Sequence, residues 1–250
     1  MNVKLSSIKK YFLLTGGIVI LSSCSDIDVN YADKKVDDIY DIAMKQMKEK
    51  DYSHAAKTFL EVERHYPYSN LAVKAQLYSA YAHYEAGKYD EASEGFNLFV
   101  QLHPGHDDIP YALYMMGMCA YEQLPIVERD QEDASQAVYY FEEVLRRFPN
   151  SSYAKDAKLK IILAKDHMAA KEMNIGRYYI SRYAYVAAIN RFKTVMDTYQ
   201  TTTHVPEALY RLVEAYKALG IDDQARAHLA ILGHNYVDNQ WYKKAYDLAA

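Results

Sequence analysis

The pattern of apolar and polar positions along this chain predicts α-helices joined by short turns. By residue number, the predicted helices are 33–50 and 52–66, 71–86 and 89–102, 109–123 and 132–148, 153–171, 176–182, 185–199, 206–219 and 222–235. No stretch alternates strictly enough to predict a strand. We therefore expect an all-α protein.

Three of the predicted helices carry the same spaced triplet of alanine, phenylalanine and proline. The triplets are Ala55-Phe59-Pro67, Ala92-Phe96-Pro104 and Ala137-Phe141-Pro149, with weaker echoes at Ala188-Phe192 and Ala225-Leu229. This spacing is typical of the second helix of a tetratricopeptide repeat, a helix-turn-helix unit of about 34 residues. Since one such unit cannot bury its apolar face alone, the repeats are expected to stack into a superhelix whose concave groove binds other polypeptides.

The intervals between the alanine anchors predict an irregular middle. The five anchors lie 37, 45, 51 and 37 residues apart, so regular outer repeats flank a longer segment. We expect a tetratricopeptide superhelix of about five helix pairs over residues 33–250. Repeats 1–3 occupy 33–149, repeats 4–5 occupy 150–250, and an extra long helix at 153–171 lies between repeats 3 and 4. Gly87 is expected to end the first helix of repeat 2 in a left-handed conformation.

The first 24 residues have the organisation of a lipoprotein signal. Three lysines precede an apolar stretch of 11 residues, Tyr11 to Leu21, which is too short to span a bilayer. The following Leu21-Ser22-Ser23-Cys24 resembles the bacterial lipobox, in which cleavage precedes a cysteine that is then lipidated. Residues 1–23 are therefore predicted to be cleaved, Cys24 to carry lipid, and 24–32 to form the anchor and tether. With Ser25 after the cysteine, the resemblance implies a lipid anchor in the periplasmic face of the outer membrane.

Charge and cysteine content narrow the class of partner. Residues 1–23 hold three lysines and no acidic residue, so cleavage leaves 26 basic against 33 acidic side chains and a net charge of −7. That balance argues against a nucleic-acid surface, which requires a basic stripe. Cys119 is expected to be a small buried filler, and no intramolecular disulfide is expected. Tyrosine is unusually frequent, with 26 residues beside 7 phenylalanines, and suits interfaces as well as cores.

Candidate chemistry is sparse. His103 and His106 have a two-residue spacing without an obvious third metal ligand, and their position at a repeat turn favours solvation. No glycine-rich phosphate loop, nucleophile elbow or zinc helix is present in the sequence. We therefore expect no catalytic residue, no metal and no cofactor, and hence a protein that is not an enzyme.

Longer motifs resemble one particular family of repeat proteins. The segment from Arg147 to Ala157, RFPNSSYAKDA, and the segment from Glu172 to Arg191 are similar to motifs of the BamD family, the lipoprotein subunit of the outer-membrane β-barrel assembly machinery. Shorter similarities occur at Phe99–Pro104, Tyr111–Tyr114, Arg129-Asp130 and Asn235–Tyr242. The resemblance covers about residues 36–246. Gln200 and Val237 stand where the family pattern has proline, which weakens two helix ends.

The resemblance implies a non-catalytic scaffold. Proteins of this kind bind the POTRA domains of the barrel protein BamA and receive unfolded outer-membrane β-barrel proteins. The arginine of the Asn190-Arg191 pair, Arg191, is implied to face BamA. From the residue alone, a solvated arginine on a helix surface is the competing interpretation.

The repeat frame locates a candidate groove for substrate peptides. On a tetratricopeptide superhelix the first helices line the concave face, and repeat positions two, five, nine, twelve and thirteen point into it. Setting the frame by Ala55, Ala92 and Gly117 places these residues there: Tyr40, Leu77, Tyr81, Tyr84, Tyr111, Tyr114 and Tyr121. Some of them are expected to pack between repeats instead. The set would form an aromatic wall suited to the aromatic residues that end most outer-membrane barrels.

Two other classes of protein compete with this interpretation. A periplasmic adaptor such as the Tol-Pal and cell-division coordinator CpoB also carries an aromatic-proline pair after each repeat. Such coordinators lack a lipobox and normally begin with a coiled coil, and this chain meets neither condition. A lipid-anchored peptidoglycan hydrolase would need a lysozyme-like domain, and the predicted repeats leave no residues to form one.

Overall fold

The computed structural model describes residues 30–124 and 132–249, and within them the chain is helical throughout, without a strand. The helices are α1 (Val36–Lys48), α2 (Tyr52–His65), α3 (Asn70–Glu85), α4 (Tyr89–Leu102), α5 (Ile109–Glu122), α6 (Glu132–Arg147), α7 (Ala154–Ser181), α8 (Tyr185–Thr198), α9 (Val205–Ala218), α10 (Asp222–Asn235) and α11 (Gln240–Ala249). The prediction of an all-α protein is confirmed. The signal segment, Cys24 and Arg129-Asp130 lie outside the described residues.

The helices pack in chain order, as expected of stacked repeats. Each of α1 to α10 packs mainly on the helices before and after it, which gives the five pairs α1/α2, α3/α4, α5/α6, α7/α8 and α9/α10. Such neighbour-only packing is the mark of a solenoid. The predicted tetratricopeptide superhelix of five pairs is therefore confirmed. The final helix, α11, was not predicted from the sequence, and it packs on α9 and α10 at the C-terminal end of the stack.

The predicted anchors form the interior of four of the five pairs. Phe59, Phe96, Phe141 and Phe192 have no exposed surface, and the alanines four residues before them are equally buried. In two pairs the facing residue of the first helix is glycine, because the phenylalanine ring lies directly on its backbone. A Cβ atom on Gly117 would lie 2.6 Å from the Phe141 ring. These contacts explain the constant alanine-to-phenylalanine spacing as close helix approach sealed by a ring.

The middle of the chain differs from the sequence prediction. Two helices were expected, at 153–171 and at 176–182, but α7 runs without a break for 28 residues, about 42 Å. The prediction of a separate short helix is therefore wrong. Gly176, at which the second of these helices was predicted to begin, lies in the interior of α7 and accommodates the Phe192 ring of α8. The C-terminal half of α7 is the first helix of repeat 4, and the N-terminal half is the predicted extra helix.

The turns inside four of the pairs share one left-handed residue. Gly87 and Gly220 have φ of 72°, as predicted for Gly87, while Lys50 has φ of 62° and Tyr183 has φ of 60°. Glycine adopts this conformation freely, whereas other residues incur a cost of roughly 1 kcal/mol. Tyr183 incurs that cost without burial, since 79% of its surface is exposed.

Candidate functional site

The first three repeats form a tyrosine-lined cavity. Its volume is about 380 Å³, and it lies between α1, α3, the start of α5 and the residue before α7. Its lining residues are Tyr40, Lys74, Leu77, Tyr78, Tyr81, Asp108, Tyr111 and Tyr153. The structure thus brings together four of the seven predicted groove residues, Tyr40, Leu77, Tyr81 and Tyr111. We call this space the tyrosine cavity.

Ring contacts hold the wall of the cavity in place. Tyr40 meets the buried Phe59 edge-on at 5.5 Å between ring centroids, and Tyr78 stacks on the same Phe59 at 5.6 Å. Across the cavity, Tyr111 lies 5.6 Å from Tyr153. Because aromatic pairs of this geometry are favourable beyond their buried area, the rings are ordered before any ligand arrives. A preordered wall lowers the entropic cost of binding.

The other three predicted residues lie outside the cavity lining. Tyr84 packs at 6.5 Å against Tyr81, which continues the aromatic surface along α3. The hydroxyl of Tyr114 donates a hydrogen bond of 2.6 Å to the Asp156 carboxylate, which joins α5 to α7. Tyr121 lies beneath the ammonium of Lys160 at 4.2 Å. Tyr114 and Tyr121 therefore make contacts that hold repeat 3 to α7, in keeping with the expectation that some of the set would pack between repeats.

Burial raises the pKa values of the predicted groove tyrosines. Loss of solvation is the largest cause, and it raises the pKa of Tyr81 to about 12, with a further contribution from the hydrogen bond to Glu85. The pKa values of Tyr40, Tyr84, Tyr111 and Tyr114 are also raised, in each case mainly by burial. The phenol groups, which already have a pKa near 10 in solution, are neutral at pH 7 and present hydroxyl donors on apolar rings. Such a surface favours aromatic side chains and polypeptide carbonyl groups.

Sequence reasoning missed four residues of the lining. Tyr78 lies one position beyond an inward-facing repeat position, and Tyr153 belongs to the extra helix, which the repeat frame does not cover. Lys74 occupies repeat position two, so the same frame could have identified it. Asp108 lies in the turn that precedes α5, where no frame position applies. The first two complete the aromatic wall, and the other two add charge.

The second candidate site surrounds Arg191 on α8. Its guanidinium Nη1 atom lies 3.2 Å from the Oε2 atom of Glu172 on α7, so the two motif residues meet. The Glu172 side chain is 15% exposed and that of Arg191 is 42% exposed. One guanidinium nitrogen is thus bonded within the protein, while part of the Arg191 side chain remains exposed to solvent.

Neither a metal centre nor a membrane span is found in the described parts of the chain. Within 30–124 and 132–249, no three histidine, cysteine, aspartate or glutamate side chains are grouped to hold a metal ion. Over the same residues, no helix combines the length and hydropathy that a membrane crossing requires. Cys119 is buried, and burial raises the pKa of its thiol to about 12, in keeping with the predicted packing role.

Comparison with known proteins gives the family. A family model described as "Outer membrane lipoprotein" (YfiO) matches residues 32–231. The outer membrane protein assembly factor BamD of Rickettsia prowazekii is 40% identical over 94% of this chain and 94% of its own length. The chain belongs to the BamD family. BamD of Caulobacter vibrioides is also 40% identical, over 87% of this chain and 72% of its own length.

The family assignment confirms the resemblance seen in the motifs and favours it over a Tol-Pal coordinator. BamD of Neisseria gonorrhoeae is 32% identical over 91% of this chain and 91% of its own length. Among solved structures, a thermophilic tetratricopeptide protein of Thermus thermophilus overlaps 86% of this chain and 98% of its own at 17% identity and a TM-score of 0.40. In this BamD-family chain, the Glu172 and Arg191 of the sequence motif form the ion pair between α7 and α8.

Proposed function

We propose that this protein is a non-catalytic scaffold of outer-membrane β-barrel assembly. In this proposal, lipid on Cys24 anchors it to the periplasmic face of the outer membrane. The tyrosine cavity and the neighbouring groove receive unfolded barrel proteins, and the surface around Arg191 binds BamA. The observation that supports the proposal is a tyrosine-lined cavity on α1, α3 and α5, the first helices of three repeats in a BamD-family chain.

The chemistry of the cavity supports a polypeptide ligand. Six of the eight lining residues are tyrosine or leucine, and three of the five tyrosine rings contact a fully buried phenylalanine. A volume of about 380 Å³ lies at the small end of ligand pockets, which run from roughly 300 to 1,000 Å³. It therefore suits one or two side chains of a segment that continues along the groove, and aromatic side chains fit best.

The surface near Arg191 supports a protein partner. The α7/α8 pair exposes Tyr178, Tyr183 and Val186, each by more than half of its surface. Tyr183 combines a left-handed backbone, with φ of 60°, and a side chain that is 79% exposed. Strain of this kind collects at binding sites. An acidic partner residue could share the Arg191 fork that Glu172 leaves open.

The groove proposal is tested by peptide titration. Tyr78→Ala combined with Tyr81→Ala should weaken binding of a fluorescent peptide from a barrel-protein C-terminus at least about tenfold, because good aromatic anchors each contribute about 2 kcal/mol or more. Tyr139→Ala on α6 is the matched control, since that side chain is 59% exposed and does not line the cavity. Equal affinities for the double variant and the parent, with circular dichroism spectra unchanged, would refute the assignment.

A further inference from the structure

Opposite charges mark the two ends of the aromatic surface on α3. Lys74 lies near the start of this helix and lines the tyrosine cavity, and Glu85 is its last residue. Between them the same helix presents Leu77, Tyr78 and Tyr81. The groove is therefore electrically asymmetric along one helix, with a cation at the first turn and a carboxylate at the last.

The two charges lie on the same face of α3. They are eleven residues apart, which is about three turns and places them within roughly 20° of one another around the helix axis. At 1.5 Å per residue the separation along the axis is about 16 Å. An extended polypeptide advances about 3.3 Å per residue, so five of its residues span this distance.

Lys74 is available to a ligand. It is exposed, and no ion pair within the described residues involves it. Asp108 also lines the cavity, but it lies in the turn before α5 and is not paired with Lys74. An ammonium group beside six apolar or aromatic side chains favours a ligand that carries a negative charge next to an aromatic group.

Glu85 faces the same groove at the other end. It lies four residues after Tyr81 in α3, so it follows this cavity-lining residue on the same face of the helix, one turn further on. Burial is the largest cause of the raised pKa values of Tyr84 and Tyr111, and the negative charge of Glu85 makes a smaller contribution to both. The carboxylate is exposed and retains lone pairs for a cationic side chain.

We propose that the groove binds its peptide ligand in one direction only. An extended peptide lies antiparallel to α3, with its free C-terminal carboxylate at Lys74, its last aromatic side chain in the tyrosine cavity, and a basic side chain about five residues earlier at Glu85. This inference rests on the proposed peptide-binding function and adds the direction in which the peptide lies along α3. Reversal of the peptide would bring like charges together at both ends of α3.

The test is a set of double-mutant cycles between protein and peptide. The probe is a fluorescein-labelled peptide with a free C-terminus, a terminal phenylalanine and one arginine five residues before it. Amidation of the C-terminus should weaken binding to the parent protein about fivefold, the upper range for an exposed ion pair. Amidation should have no effect on the Lys74→Gln variant, because the cationic partner is already gone.

The second cycle probes the other end. Replacing the peptide arginine by glutamine should weaken binding to the parent about fivefold and leave binding to Glu85→Gln unchanged. Moving the arginine to two residues from the terminus should give the same loss. Asp108→Asn is the control variant, and the amidation effect should persist in it. Both effects should shrink as salt is added, since exposed charges are screened.

The outcomes distinguish the proposed peptide direction from the proposed peptide-binding function. If amidation costs the same for Lys74→Gln as for the parent, or the arginine loss is the same in Glu85→Gln, the proposed direction is wrong. In that case, weak binding by the Tyr78→Ala and Tyr81→Ala double variant would still support a peptide groove. If that double variant binds every peptide as the parent does, the groove itself is refuted.

Discussion

Replacing Gly176 with alanine tests the continuous α7 helix and its close contact with α8. A Cβ atom at this position would have three carbons of the Phe192 ring within 2.9 Å, and real Cβ atoms do not approach neighbours so closely. The ring has no exposed surface, so it has no free space into which to rotate. Either α7 and α8 move apart or the ring leaves its preferred rotamer.

The expected loss of stability follows from two opposing contributions. Alanine is favoured over glycine in a helix interior by about 1 kcal/mol. Overpacking of a core costs about 1–3 kcal/mol, and the tight overlap with a fully buried ring places this site at the upper end. The net effect is a decrease of about 2 kcal/mol in the free energy of unfolding. For a folded region of this size, that corresponds to a melting temperature lower by about 4–8 °C.

Urea and thermal denaturation followed by circular dichroism measure the effect. Gly105→Ala is the matched control, because no atom lies within 4 Å of the added methyl group and the change should stay within about 0.5 kcal/mol. The smaller side chain of Phe192→Leu should relieve the overlap. The double variant of Gly176→Ala and Phe192→Leu should therefore lose less free energy of unfolding than the two single variants lose in sum. A Gly176→Ala protein as stable as the parent would show that α7 and α8 do not meet in this way.

Three further predictions concern the anchor, the partner surface and the tyrosines. Cys24→Ser should abolish palmitate labelling of a tagged copy in cells and release the protein from the membrane fraction, since lipid is the proposed anchor; persistent labelling would contradict the lipobox. Arg191→Gln should reduce co-purification of BamA at least about tenfold, because loss of one member of a desolvated interface pair costs about 2–5 kcal/mol. Glu172→Gln should retain BamA, whereas equal losses in both variants would mark the pair as purely structural. Stability should fall as pH rises from 10 towards 12, because tyrosines of the unfolded chain lose protons near pH 10 while Tyr81 holds its proton to about 12. Urea denaturation with the same midpoint across that window would refute the last prediction.

The repeat architecture was predictable because its signals are local. Ala55 and Phe59, Ala92 and Phe96, and Ala137 and Phe141 are four residues apart, so each pair occupies one helix face whatever the rest of the chain does. Prolines after the second helices, and Gly87 in its turn, supply stops that act within a few residues. These features determine the number of helix pairs, their order and the side of each helix that is buried.

The ends of α7 and the presence of α11 depended on packing. The sequence predicted a separate helix from Gly176, yet contact with Phe192 makes glycine the residue that fits at this position within a continuous helix. The last helix, α11, has few strong start or stop signals of its own. Trp241 stacks on Tyr210 of α9 at 5.2 Å, and such support from another repeat stabilises a helix of only ten residues.

The sequence by itself determined which kinds of residue would line a groove, and the tertiary structure decided which of them meet. A repeat frame gives the direction of a side chain from its own helix, and so it selected Tyr40, Tyr81 and Tyr111. It could not place Tyr153, because the position of that residue depends on how α7 follows repeat 3. Likewise, Glu172 and Arg191 are 19 residues apart in sequence, and only the packing of α8 on α7 brings their charged atoms to 3.2 Å. The helical periodicity of the sequence gives the direction of side chains on one helix, whereas a site depends on how closely side chains of different helices approach one another.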